Sequence, residues 1–337
     1  MTGTPSPLDR NLLIAEIGSV HDGSFGNAVK LMEAAAAAGA DAVKFQTHIA
    51  EAETLPNAPM PPYFKGEPRM EYFRRTGFSK DQWRSLSDQA RALGVIFLSS
   101  PFSVEAADLM EGLGMEIFKI PSGEVTNIPL LERIAGFRKP VLLSSGMSDW
   151  KELDQAVAVL KQGGPLVVMQ CASAYPCPPE KVGLNVLAEM RARYGTAVGF
   201  SDHTLGFAAP IAAAALGARV IEKHFTFSRL MYGSDARHSM EPPEFALLAK
   251  SLREAWKTAI SPVDKADTAD FHEMKVIFEK SVVLSGPIKA GTRLEKAHLA
   301  FKKPGDGIRA ADYHALLGRK LKSDRPENHK LSEDDLA

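Results

Sequence analysis

Several short apolar runs in this sequence carry a polar or charged residue near their C-terminal end. Glu16 lies in LLIAEIG, Lys44 and Gln46 in DAVKFQT, Ser99 and Ser100 in VIFLSSP, and Lys119 and Ser122 in IFKIPSG. Ser144 follows in PVLLSSG, Gln170 in LVVMQCA, Ser201 and His203 in AVGFSDH, and Lys223 and His224 in VIEKHFT. Lys44 and Lys119 suit a small anion. Two ammonium groups facing one another repel unless a carboxylate or phosphate lies between them, and Ser122, Ser144, Ser201 and the backbone at Gly123 and Gly146 add donors. Lys44 equally suits a Schiff base or an ion pair with Glu16. His203 and His224 on adjacent runs suit one shared divalent metal with positions open to water and substrate, or two structural imidazoles; no HxH or HExxH run accompanies them. Glu16 and Asp235 would then serve as further ligand, base or hydroxyl acceptor. Ser100, Asp202 and Thr204, taken singly, read equally well as helix caps. Cys171 reads as a buried thiol rather than a nucleophile, and His21, His48 and His238 read as solvated loop residues.

Such residues meet only if the runs that carry them are strands of one sheet. The eight runs, Leu12 to Gly18, Asp41 to Thr47, Val95 to Pro101, Ile117 to Gly123, Pro140 to Gly146, Leu166 to Ala172, Ala197 to His203 and Val220 to Thr226, are short, apolar and closed by Gly, Pro or polar residues. That pattern belongs to strands buried on both faces. Segments with helical spacing separate them, several ending on Gly. Strict strand–helix alternation eight times over roughly 250 residues predicts an α/β fold, a closed (β/α)8 TIM barrel over residues 1–260, with chemistry at the C-terminal ends of its strands. Three lysines, a glutamate and two histidines at that end are hard to explain as isolated satisfied core groups, because buried charge is costly unless paired or bound.

Two segments break the alternation. Glu51 to Gly77, rich in Pro, Met and aromatics, is long enough to be functional, and its aromatics predict an ordered lid. After the eighth helix, a polar linker (261–278) leads to 279–337, whose short β-like runs and Gly/Pro turns predict a small β-rich domain of about 60 residues, marginal in stability alone. Forty Lys and Arg against 41 Asp and Glu give a formal charge of −1. No global field for nucleic acid or an anionic membrane exists, so an anionic ligand needs its cations gathered at one site. Cys171 and Cys177 are too few for a disulfide framework, which predicts a reducing cytoplasm. The N-terminus lacks a signal-peptide pattern and no run approaches the ~20 apolar residues of a membrane span.

The motifs, in order and spacing, resemble the sialic acid (N-acetylneuraminate, nonulosonic acid) synthase family: IAEIG with HDGS, VKFQTH, LSSPFS, FKIPSGE, LLSSGM, AYPCPP, GFSDHT, EKHFT, GSD and KKPGDGI. The resemblance covers nearly the whole chain, including a C-terminal antifreeze-like (SAF) domain at 279–337. It implies a transferase condensing phosphoenolpyruvate with the aldehyde of an N-acylmannosamine-type sugar to give a 2-keto-3-deoxy acid and phosphate. By that pattern Lys44, Ser100, Lys119, Ser122, Ser144 and Ser201 would hold phosphoenolpyruvate, and His203 and His224 would bind Mn²⁺ or Mg²⁺. Glu16, Gln46, Tyr175 and Asp235 would face the sugar. It further implies a homodimer in which the SAF domain of one subunit caps the barrel of the other and supplies an arginine. Three positions depart from the pattern. Val20 to Gly23 replaces an Asn–His–Asn–Gly run, Ser173 stands where an Asn is expected near phosphoenolpyruvate, and Lys303 stands at the capping arginine, with Arg309 in the same turn. Lysine lacks the planar fork of arginine, so the acceptor sugar is open. A pyruvate-dependent Schiff-base aldolase and a non-catalytic sugar-binding paralogue are the competing readings.

Overall fold

A computed structural model describes residues 6–59 and 67–337. Part of the expected lid, residues 60–66, and the first five residues lie outside the described set. Two compact units divide the chain, residues 1–261 and 262–337.

The first unit is a closed barrel of eight parallel strands in sequence order: β1 (Leu12–Gly18), β2 (Ala42–Thr47), β3 (Ile96–Pro101), β4 (Phe118–Ile120), β5 (Val141–Ser144), β6 (Leu166–Cys171), β7 (Ala197–Asp202) and β8 (Val220–His224). Strand β8 pairs back onto β1, with Glu16 opposite His224 on one side and Lys44 on the other. β4 is only three residues long, shorter than its apolar run. Pro121 has no N–H for the ladder, and the chain turns at once into a 3₁₀ turn over Ser122–Glu124.

Helices wrap the barrel because their apolar positions fall on one face. In the helix Lys80–Ala92, Trp83, Leu86 and Ala90 are buried, and a Ser79/Gln82 capping box satisfies its first turn. Burying a large side chain such as Leu86 contributes roughly 1.5–3 kcal/mol. The lid segment forms a short helix, Ala50–Glu53, and a second, Arg69–Thr76, that buries Tyr72 and Thr76. Among the described residues no helix is long and apolar enough to cross a membrane.

In the second unit β9 (Ser281–Leu284) pairs antiparallel with β10 (Leu299–Lys302). Val282, Leu284, Leu294, Leu316, Leu321 and Leu331 build its separate core. The stretch expected as a linker holds a helix, His272–Phe278, counted with this unit.

Candidate active site

Period-two alternation along each strand decides which polar residues enter the barrel. Glu16, Lys44, Lys119, Ser201 and Glu222 point inward and are almost completely buried. Lys44 Nζ lies 2.7 Å from Glu16 Oε2 and 3.6 Å from Glu222 Oε1, and Ser100 Oγ accepts from it at 3.3 Å. Lys119 Nζ reaches the same Glu222 Oε1 at 3.5 Å, and Ser201 donates to that oxygen at 3.1 Å. Two lysines therefore share one carboxylate.

The charges of this cluster follow from burial and neighbours. Burial, opposed by Lys44 and reinforced by Glu222, pushes the Glu16 carboxyl up to about 7. Burial would also raise Glu222, but Lys119 and Lys44 outweigh it and hold that carboxyl well below the usual range. Burial would lower Lys44, but the two carboxylates of Glu16 and Glu222 outweigh it and hold it above the ordinary lysine value. For Lys119 burial wins over Glu222 and lowers its value. One firm carboxylate, one carboxyl that protonates near neutrality and two amines leave room for an anion.

These groups line a cavity of about 360 Å³ at the C-terminal ends of the strands. All thirteen barrel residues singled out from the sequence as catalytic or substrate-binding line it, Gln46, Ser122, Ser144, Ser173, Tyr175 and Asp235 among them. Ser144 Oγ, Glu222 Oε2 and His224 Nδ1 are buried without a hydrogen-bond partner, the condition of groups that expect a ligand. A Cβ at Gly146 would stand 2.4 Å from Ser173 Oγ, 2.7 Å from Ser122 Oγ and 3.2 Å from Cys171 Sγ, so this glycine lets three polar side chains crowd against the backbone. Over Gly18, held at φ +54°, Asp235 Oδ2, Gln46 Nε2 and Glu16 Oε1 converge in the same way, and Gln46 donates to Glu16 at 2.8 Å.

His203 and His224 stand with ring centroids 5.6 Å apart, and the Tyr175 ring lies 4.0 Å from His203. His203 Nδ1 is engaged by the Ala172 carbonyl at 2.8 Å, which leaves Nε2 as its free nitrogen. Burial, opposed by Asp235, lowers His224 to about 4 and keeps it neutral. Burial lowers His203 as well, but its contacts with Cys171 and the Ala172 carbonyl outweigh it and raise its value, so only His224 is held neutral. Two imidazoles, each with a nitrogen outside these contacts, fit a divalent cation, which would displace any proton on His203. Among the described residues no group of three or more His, Cys, Asp or Glu converges as a metal cluster, so water and substrate oxygens would complete its coordination.

Several expectations need correction. Lys223 does not face the cavity: it points outward from β8, pairs with Asp202 at 2.5 Å and donates to the backbone of Thr204 and Gly206. Ser99 likewise turns away to Thr47 and the Phe45 carbonyl, and Gln170 bonds Ser145 and the Val182 carbonyl. His21 and His48 are not solvated loop residues. His21 is buried against Phe78. The His48 side chain is buried between Phe73 and Phe102, with Nδ1 on Glu53 and Nε2 on Gln46. His238 is half-buried and takes a hydrogen bond from Arg237. Cys171 is buried with Sγ 3.8 Å from His203 Nδ1. Lys303 and Arg309 belong to the second unit, where Lys303 lies over the Phe278 ring and Arg309 pairs with Asp312.

Sequence reasoning missed Glu222, Arg69, Phe73 and Phe102 at the cavity wall. Glu222 was within reach of the alternation rule, since it shares a face with His224, two residues on. The other three stand on the lid helix and the β3 loop, where no periodic signal marks direction.

Comparison with known proteins agrees with this architecture. The chain is 35% identical to an N,N'-diacetyllegionaminic acid synthase of Campylobacter jejuni over 97% of its length and 100% of that protein. It is 34% identical to the human N-acetylneuraminate-9-phosphate synthase over 92% of the chain and 88% of that enzyme. The crystal structure of an N-acetylneuraminic acid synthetase from Leptospira borgpetersenii matches with TM-score 0.72 and 29% identity, over 79% of this chain and 90% of that one. With residues 31–263 matching the NeuB family and 279–337 matching a SAF domain, the chain belongs to the NeuB family.

Proposed function

We propose that this protein condenses phosphoenolpyruvate with the open-chain aldehyde of an N-acylated hexosamine, giving a nonulosonic 2-keto-3-deoxy acid and phosphate. The carrying observation is the pair of buried lysines sharing Glu222 beside unpartnered Ser144, at the foot of a cavity that also holds two imidazoles. Relatives named as legionaminic, pseudaminic and N-acetylneuraminate-9-phosphate synthases support the same chemistry.

In this reading Lys44, Lys119 and the hydroxyls of Ser100, Ser122, Ser144 and Ser201 hold the phosphate and carboxylate of phosphoenolpyruvate, with Ser173 beside them. Mn²⁺ or Mg²⁺ held by His203 and His224 would supply a Lewis acid for the acceptor carbonyl. Carbon 3 of the enol forms the new bond to the aldehyde carbon; water adds at carbon 2, and the C–O bond breaks to release phosphate. Glu16, with a carboxyl near 7, carries a proton at the reacting end, and Gln46, Tyr175 and Asp235 face the sugar hydroxyls. Homodimeric assembly, with the SAF unit of one copy presenting Lys303 or Arg309 to the barrel of another, belongs to the same proposal.

The test is phosphate release from phosphoenolpyruvate. It should require both an N-acylhexosamine and a divalent cation and should stop on chelation. Release that persists in His203→Ala would overturn the metal assignment. A Schiff-base aldolase would draw on Lys119, whose ammonium is destabilised by burial. Borohydride with pyruvate distinguishes the two, because the synthase forms no trappable adduct.

A further inference from the structure

A hydrogen-bonded chain leads away from the reacting centre along the β2 side of the cavity. Lys44 holds Oε2 of Glu16 at 2.7 Å, and Gln46 Nε2 donates to Oε1 at 2.8 Å. The other end of the Gln46 amide, Oε1, lies 3.2 Å from His48 Nε2, and His48 Nδ1 lies 2.8 and 3.0 Å from the two oxygens of Glu53. Period-two alternation puts Lys44, Gln46 and His48 on one side of the chain as it runs off β2. The His48 ring is held between Phe73 (centroids 3.8 Å, planes 8° apart) and Phe102 (4.2 Å, 20°), and the Arg69 guanidinium carbon lies 5.3 Å from the Phe73 centroid. Stacked on both faces, the imidazole meets polar groups only at its edge.

The ends of this chain fix the order of its donors. A glutamine amide is nearly symmetric in shape, so its partners alone decide which end faces which. With its NH2 on Glu16, Gln46 turns an acceptor oxygen to His48, and Nε2 must carry a hydrogen to meet it. A second proton lies between Nδ1 and Glu53, since a bare nitrogen would face carboxylate lone pairs. The His48 and Glu53 side chains are 5% and 4% exposed. A buried pair of this kind adds little stability over apolar residues of the same volume, and what this one holds is the amide. We propose that His48, anchored by Glu53, is a positioning residue: by donating from Nε2 it fixes Gln46 with its NH2 toward Glu16, and so holds Glu16 for its work at the reacting end. Without that donor the amide is free to invert and set its oxygen against Glu16 Oε1, two acceptors in contact. The work assigned to Glu16 rests on the synthase reading above; the order of hydrogen bonds does not.

The experiment pairs a spectrum with a double-variant cycle, both on the full-length protein. In nitrogen-labelled histidine NMR the His48 ring, assigned by its loss in His48→Gln, should show Nε2 as an N–H nitrogen. Nε2 as a bare nitrogen overturns the proposal whatever the activity. Kinetics are read as phosphate release from phosphoenolpyruvate with the N-acylhexosamine that turns over fastest. His48→Phe keeps the stack and removes both donors; kcat should fall about 10-fold, with the KM for phosphoenolpyruvate within about twofold. Adding His48→Phe to Gln46→Met should change kcat by less than about twofold, because His48 acts through that amide. His48→Gln, which can place an N–H where Nε2 stands, should recover more than His48→Asn, whose amide reaches the Nδ1 position. Additive losses in the double variant, or asparagine recovering as much as glutamine, overturn the proposal; the comparison of these two amides stands even where His48→Phe does not fold. If the unaltered protein releases phosphate with no acceptor, the synthase reading falls, and the ring spectrum decides whether His48 holds the amide.

Discussion

Glu222 on β8 and Lys119 on β4 meet across the barrel, with Glu222 Oε1 3.5 Å from Lys119 Nζ. Strands four apart in an eight-stranded barrel are opposite one another, so this contact ties the two walls of the cavity together below its mouth. It also sets how much positive charge an incoming anion finds. In Glu222→Gln the amide keeps an oxygen for Ser201 but removes the carboxylate shared by both lysines. Inorganic phosphate should then bind about tenfold more tightly while kcat falls, because attraction rises as the lysines lose their anchor. Calorimetry with phosphate checks it; equal or weaker binding would show that Glu222 does not counterbalance the lysines.

Gly146 matters through what it lacks. An alanine there puts a methyl within 2.7 Å of both Ser122 and Ser173 hydroxyl oxygens, which must rotate out of the cavity floor. Gly146→Ala should raise the KM for phosphoenolpyruvate by about 10-fold, the equivalent of one or two hydrogen bonds, with a much smaller change in unfolding temperature. A variant with normal KM would mean the serines do not contact substrate.

Behind the cavity, Lys223 clamps the backbone that follows His203, through Asp202, Thr204 and Gly206. Both charges are buried. Lys223→Met strands the Asp202 carboxylate and should cost about 3–5 kcal/mol in urea unfolding. Adding Asp202→Asn should recover part of that cost; a double variant no more stable than the single one would argue against the pair.

His21 predicts an acid-sensitive contribution. Burial, with Arg75 and His48 adding to it and a hydrogen bond to Gly18 opposing, lowers its imidazole to about 4, and Nδ1 accepts from the Gly23 N–H at 3.2 Å, which requires the neutral form. The folded value lies below the unfolded one, so the unfolded chain binds the extra proton. The contribution is therefore complete above about 6.5 and is lost as pH falls toward 4, amounting to about 3 kcal/mol across that window. His21→Gln should flatten the slope of unfolding free energy between pH 6.5 and 4 relative to the unaltered protein. Parallel slopes would remove His21 as the cause.

Strand order, the closed barrel and most of the cavity wall were legible in sequence because each rests on local periodicity. Apolar runs at regular spacing declare buried strands, and a polar residue near the end of such a run has few places to go except the strand mouth. Direction was lost at Gln170, which turns to Ser145 and the Val182 carbonyl, and where adjacent polar residues were read as one group. Lys223 and His224 face opposite sides of the same strand, and Glu222, one step back, is the residue that enters the cavity. Lys44 shows the second boundary. Its sequence leaves an anion, a Schiff base and a partner in Glu16 equally open; the 2.7 Å contact and the shared Glu222 come from strands far apart in the chain, and distance between strands is a property of register and closure. The stack of Arg69, Phe73, His48 and Phe102 lies further still from local rules. Two loops and a lid helix bring those side chains together, and packing between irregular segments has no period for a sequence to display.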